Sequence, residues 1–145
     1  MDFFERLIYA LTVSHPVHPM FVHFPIALSS AAMLFILIAL IRKDHSYEKI
    51  AYANLVLTVI GTLAAGITGL YDNNVNYSGD APNANLKIIL AIVMLFLSTI
   101  TVLFRVRNPN VLFSKSKAFY FGGYLITFVL AIVLAFLGGV ILYGF

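Results

Sequence analysis

The chain has 145 residues, of which 61% are hydrophobic and 10% charged, and a formal net charge of +3. Soluble domains are roughly a quarter charged, and a chain this short cannot hide so much apolar surface within itself, whereas a bilayer solvates it. The small, dispersed charge excludes a nucleic-acid footprint, and the lack of cysteine excludes disulfides, thiol catalysis, iron–sulfur ligation and thioether-attached haem.

Residues 1–14 lack a basic leader, a long apolar core and a small-residue cleavage site, so the first span is expected to act as its own insertion signal. Within this stretch Phe3, Phe4, Leu7, Ile8, Ala10 and Leu11 fall mostly on one helical face, with Asp2, Glu5, Arg6 and Tyr9 off it. That pattern predicts an interfacial helix over 2–13, lying on the membrane surface or against a partner subunit.

Four apolar runs follow, at about 20–41, 50–71, 86–104 and 119–143. Each has about the twenty residues needed to cross the hydrocarbon core at 1.5 Å per residue. The expected fold is all-α: one integral membrane domain over 1–145, a four-helix transmembrane bundle with a short N-terminal interfacial helix. Apart from His23 and Lys87 near span ends, the runs hold no ionisable side chain other than tyrosine, so no buried acidic residue of an ion-coupled carrier is expected in a span.

Arg42, Lys43 and Lys49 lie between the first two runs; Arg105, Arg107, Lys115 and Lys117 lie between the last two. Positive residues mark the cytoplasmic side, which predicts both termini on the outer side. Tyr47, Tyr71, Tyr120 and Tyr143 at the run ends suit the headgroup layer. The stretch Asp72 to Asn85 has turn chemistry and predicts an outer loop, while Arg107 to Ser116 reads as a plain linker.

Small residues mark the contact faces. Gly61, Ala65 and Gly69 in the second run, and Ala131, Ala135 and Gly139 in the fourth, recur every four residues. In lipid such stripes let helices approach closely; they also leave room for a flat haem or pigment. Pro25, inside the first run, cannot donate to the Phe21 carbonyl and predicts a kink there.

Chemistry concentrates in Ser14-His15-Pro16-Val17-His18-Pro19-Met20-Phe21-Val22-His23-Phe24-Pro25, which holds three of the four histidines. Imidazole ligates haem and transition metals and titrates near neutral pH. On one straight helix His18 and His23 point about 140° apart, so they cannot grip one iron together. A second ligand must come from another span, such as Met94, from another copy or from a partner. The competing structural role is to cap the helix, anchor at headgroups or bond the freed Phe21 carbonyl. Asp72 can orient an imidazole, cap a turn with Asn73 or pair with Lys87. His45 is expected to be solvated.

The run from His18 to Leu28, His-Pro-Met-Phe-Val-His-Phe-Pro-Ile-Ala-Leu, resembles the opening motif of a bacterial membrane family known as domain of unknown function 2231. The stretch Ala64-Ala65-Gly66-Ile67-Thr68-Gly69-Leu70-Tyr71-Asp72 is similar to that family's second-helix ending, and Leu137-Gly138-Gly139-Val140-Ile141-Leu142-Tyr143-Gly144 to its close. The resemblance spans the chain and implies a four-helix membrane domain. Some members are joined to Rieske or cytochrome-like domains, which implies a place near membrane electron transfer, with His18 and His23 as haem or quinone contacts. Many members carry a histidine near the start of the third span, where this chain has Asn83-Ala84-Asn85-Leu86-Lys87-Ile88.

The resulting expectation is a small subunit of a respiratory or photosynthetic electron-transfer complex, with haem b or quinone near the outer end of the first span and other membrane subunits as partners. The alternatives are an accessory subunit that binds lipid or pigment, and a metal or proton carrier using His18 and His23. No catalytic constellation is apparent.

Overall fold

The computed structural model describes residues 2–10 and 17–143, with side chains described through residue 140. Helix α1 spans Phe3–Tyr9, α2 Val17–Arg42, α3 His45–Tyr77, α4 Ala84–Arg107 and α5 Lys117–Tyr143; a one-turn 3₁₀ helix, Val111–Phe113, lies between α4 and α5. Helices α2 to α5 are long and apolar enough to cross a membrane. The protein is therefore an all-α bundle with four candidate spans.

Helix α1 starts on a reciprocal cap. The Asp2 carboxylate accepts from the Phe3 N–H, and Glu5 accepts from the Asp2 N–H at 3.0 Å. No residue of α1 is buried against the bundle. The rest of the expected interfacial helix, and His15 of the histidine cluster, lie outside the described residues.

Each long helix packs on the next, and α5 closes the ring onto α2. The termini of α2 and α5 and the α3–α4 connection share one end, called here the histidine end. The α2–α3 and α4–α5 connections share the other, the loop end. The apolar core gathers near the loop end, from Ala32, Ile36 and Ala39 of α2, Ala51 and Leu55 of α3, and Tyr120 and Tyr124 of α5. The 3₁₀ turn adds buried Val111 and Leu112, so the segment expected to be a plain linker plugs that end of the bundle.

Deeper interior positions are small or hydroxylic: Ser29, Thr58, Thr62, Ser98, Thr101 and Thr127 are buried. Their hydroxyls are satisfied inside their own helices, as when Thr62 donates to the Thr58 carbonyl at 2.8 Å and Thr127 to the Gly123 carbonyl at 2.8 Å. Among the described residues no buried side-chain polar atom lacks a partner. In lipid that accounting is obligatory, because no water is present to complete it.

Helix α3 corrects the expected boundaries. It begins five residues earlier than the apolar run and continues six residues past it, giving 33 residues or about 50 Å. The early start is set by Asp44, whose carboxylate accepts from the Ser46 N–H at 2.8 Å. That bond, helped by the Ser46 hydroxyl and the neighbouring His45 and Arg42, holds the Asp44 carboxyl below the usual range. The late finish replaces the first part of the expected Asp72–Asn85 loop. Ser78 takes a left-handed conformation, and the Ser78 and Gly79 N–H groups both donate to the Asn73 carbonyl. The Asn73 amide also bonds Gly79 and Ala81, tying the turn down.

Helix α2 runs as one helix through Pro25, which is buried. A methyl at Gly61 would meet the Pro25 ring at 3.2 Å, so α2 and α3 cross closely there. The α4–α5 crossing is tighter: a methyl at Gly123 would sit 2.1 Å from Thr101 Oγ1. Ala65 and Ala131 are buried, and Ala135 and Gly139 are partly covered.

Candidate functional site

At the histidine end, Val17 to His23 form the first turns of α2, so successive histidines leave the helix in different directions. His18 is half-buried and lies on the bare backbone of Gly69, where a methyl would come within 2.8 Å of its Cε1. Its Nδ1 is 3.4 Å from Thr68 Oγ1. The small residues of α3 thus seat an imidazole at Gly69 and a proline ring at Gly61.

His23 faces away from the bundle and is exposed. Its Nδ1 bonds the Pro19 carbonyl one turn back. The expected link to the Phe21 carbonyl is replaced by this one, because a side chain on a helix leans toward the preceding turn and reaches the residue four back. A carbonyl only accepts, so Nδ1 carries a proton, and among the described residues none bonds Nε2. The structure does not bring His18 and His23 together.

Asp72 lies inside α3 and is 8% exposed. It caps no turn with Asn73; its carboxylate accepts from the Asn76 amide one turn on. Lys87, half-buried at the start of α4, makes no ion pair with it among the described residues. Both are near enough to His18 to act on its charge. Met94 is buried in α4. Among the described residues no three His, Cys, Asp or Glu side chains are grouped to hold a metal ion.

The loop end holds a polar cluster that the apolar runs concealed. Glu48 is 0% exposed. Arg105 of α4 grips it in a fork, Nε to Oε1 at 3.0 Å and Nη2 to Oε2 at 3.2 Å. Tyr120 of α5 donates its hydroxyl to Oε1 at 2.8 Å, and the Tyr124 hydroxyl lies 2.9 Å from that of Tyr120. The guanidinium also lies over the Tyr52 ring, 5.1 Å from its centroid.

This cluster overturns two expectations. A buried acidic residue is present, because α3 starts early enough to carry Glu48 inside. Tyr120 serves the interior and not the headgroups, whereas Tyr71 is exposed. The signal was present in the periodicity. Glu48, Ala51, Leu55, Thr58, Thr62 and Ala65 share one helical face, as do Tyr120, Tyr124, Thr127 and Ala131. His45 also departs from expectation, packing edge-on against Phe113 with ring centroids 4.5 Å apart.

No curated protein and no solved structure matches the chain. A family model described as "Predicted membrane protein (DUF2231)" matches residues 14–145, which takes in all four candidate spans. The chain belongs to this family of predicted membrane proteins.

Proposed function

We propose that the protein is a small integral-membrane subunit of a respiratory or photosynthetic electron-transfer complex, with His23 contacting haem b or a quinone at the outer end of α2. One observation carries this reading: the Pro19 carbonyl holds Nδ1 of an exposed His23 and leaves Nε2 open. A backbone carbonyl on one imidazole nitrogen is the arrangement that orients the other as a ligand. The same nitrogen accepts a hydroxyl proton from a quinol.

Among the described residues at this end, His23 would supply one imidazole ligand to a haem. His18 is committed to the α2–α3 contact, so among the described residues His23 would have no second imidazole beside it, and a neighbouring subunit or second copy would supply the other ligand of a haem. Haem supplies one-electron chemistry, while this chain orients the ligand and keeps its surroundings apolar, through Met20, Phe21 and Phe24 beside it. The clustering of cations at the loop end supports a cytoplasmic position for that end of a bacterial inner membrane, with both termini outside.

A second reading rests on a separate observation. Only 17–28% of the apolar window of each span is buried, which leaves broad faces for lipid or neighbouring spans and suits an accessory subunit without redox chemistry.

A reduced-minus-oxidised visible spectrum of the purified native complex decides between them. The redox reading expects a haem b band that His23→Ala removes and His18→Ala leaves in place, provided the latter remains folded. A quinone contact instead expects normal haem bands and a raised apparent KM for quinol in His23→Ala. If neither spectrum nor quinol kinetics respond, the accessory reading stands.

A further inference from the structure

The loop end carries seven of the nine Lys and Arg residues but only two of the six Asp and Glu. Those two acids are engaged: Glu48 by Arg105 and Tyr120, and Asp44 as the cap of α3. Between the end of α2, the 3₁₀ turn and the start of α5 lies a cleft of about 270 Å³. Its apolar lining is Ala39, Leu40, Leu112 and Phe113, and its polar lining is Lys43 and Lys117. Neither lysine has a carboxylate partner among the described residues.

The cleft therefore pairs two uncompensated ammonium groups with an apolar lining, where the spans meet the membrane surface. Lys43 directly follows α2, and Lys117 opens α5. Lys43 also has φ of 53°, a left-handed conformation that favours glycine.

We infer that this cleft binds an anionic glycerophospholipid, its phosphate between Lys43 and Lys117 and its acyl chains along Leu40 and Phe113. A cationic pocket between spans at the membrane boundary attracts anionic headgroups, and the apolar lining gives it an advantage over a free anion. The site is at the opposite end of the bundle from His23 and stands independently of any redox role.

The test uses the full delipidated chain in neutral detergent, with phosphatidylglycerol, phosphatidylcholine and inorganic phosphate as separate probes. Binding is read by native mass spectrometry and by the shift in thermal unfolding. One phosphatidylglycerol per chain is expected to remain bound, with phosphatidylcholine and phosphate weaker. Lys43→Gln with Lys117→Gln should weaken phosphatidylglycerol by about thirty-fold, from about five-fold per surface cation. Lys115→Gln, outside the cleft, should leave it nearly unchanged.

Lys43→Gly separates binding from folding, because it removes the charge while relaxing the left-handed backbone; it should weaken lipid binding in a chain that unfolds no earlier. The inference is overturned if the double variant binds as the parent does, or if Lys115→Gln matches its loss. It also falls if phosphatidylcholine binds equally, or if inorganic phosphate competes at equal concentration.

Discussion

Glu48 shows how one carboxylate can be kept inside a membrane bundle. Its two oxygens receive the forked guanidinium of Arg105 and the Tyr120 hydroxyl, so charge and hydrogen-bonding capacity are met together. Removing one partner is therefore worse than removing both. Arg105→Met should lower stability by about 3–5 kcal/mol in detergent unfolding, and adding Glu48→Gln should restore part of that loss. Tyr120→Phe should cost about 1.5–3 kcal/mol, since a bond to a charged acceptor is lost. Asp44 sets a pH dependence of its own. Its carboxyl titrates below the usual range in the folded chain, so its stabilisation is complete above the ordinary carboxylate range and lost as pH falls through the lowered value. The thermal midpoint should fall on acidification, and Asp44→Asn should flatten that contribution because asparagine caps without titrating.

Helix pairing here depends on where glycine meets a neighbour. Gly123 has no room for a methyl, because Thr101 occupies that space. Gly123→Ala should force α4 and α5 apart and cost about 1–3 kcal/mol, with Thr101→Ala recovering most of it. Gly66, in the same family-like stretch as Gly69, has open space around its would-be Cβ. Gly66→Ala should be neutral or mildly stabilising by the same unfolding measurement, as alanine is the better helix former. Gly69→Ala should strike His18 and loosen the start of α2. The small-residue spacing in α3 was legible in the sequence. Its partners were not, since Pro25 and His18 reach Gly61 and Gly69 only after the α2–α3 register is set. Gly123 continues the four-residue spacing of Ala131, Ala135 and Gly139 back through Thr127, so its face was legible; Thr101 stands in no such stripe, and the contact between them needed the α4–α5 register.

For the molecule as a whole, the packing of the four candidate spans puts the start of α2 and the end of α5 at the same end of the bundle, and the charge asymmetry supports the proposed outer position of that end. The chain has no cysteine, so single introduced cysteines report sidedness directly. In intact cells Asp80→Cys should react with an impermeant maleimide and Lys115→Cys should react only after permeabilisation; the reverse pattern would invert the topology. The span number, all-α class and loop-end charge were readable from the sequence because bilayer thickness and backbone satisfaction leave long apolar runs only one regular form. The family resemblance was readable too, carried by the motifs from His18 to Leu28 and from Ala64 to Asp72. What only the tertiary structure decided was which polar groups meet. Glu48 and Arg105 are 57 residues apart, and Glu48 and Tyr120 are 72. The helical face was encoded locally in both cases, but no local pattern says which face of another helix will lie opposite. The same holds for His18 and His23, separated by the helical twist and then given different surroundings by packing. Hydropathy is a local sum, whereas the partner of a buried charge is a property of the assembled bundle.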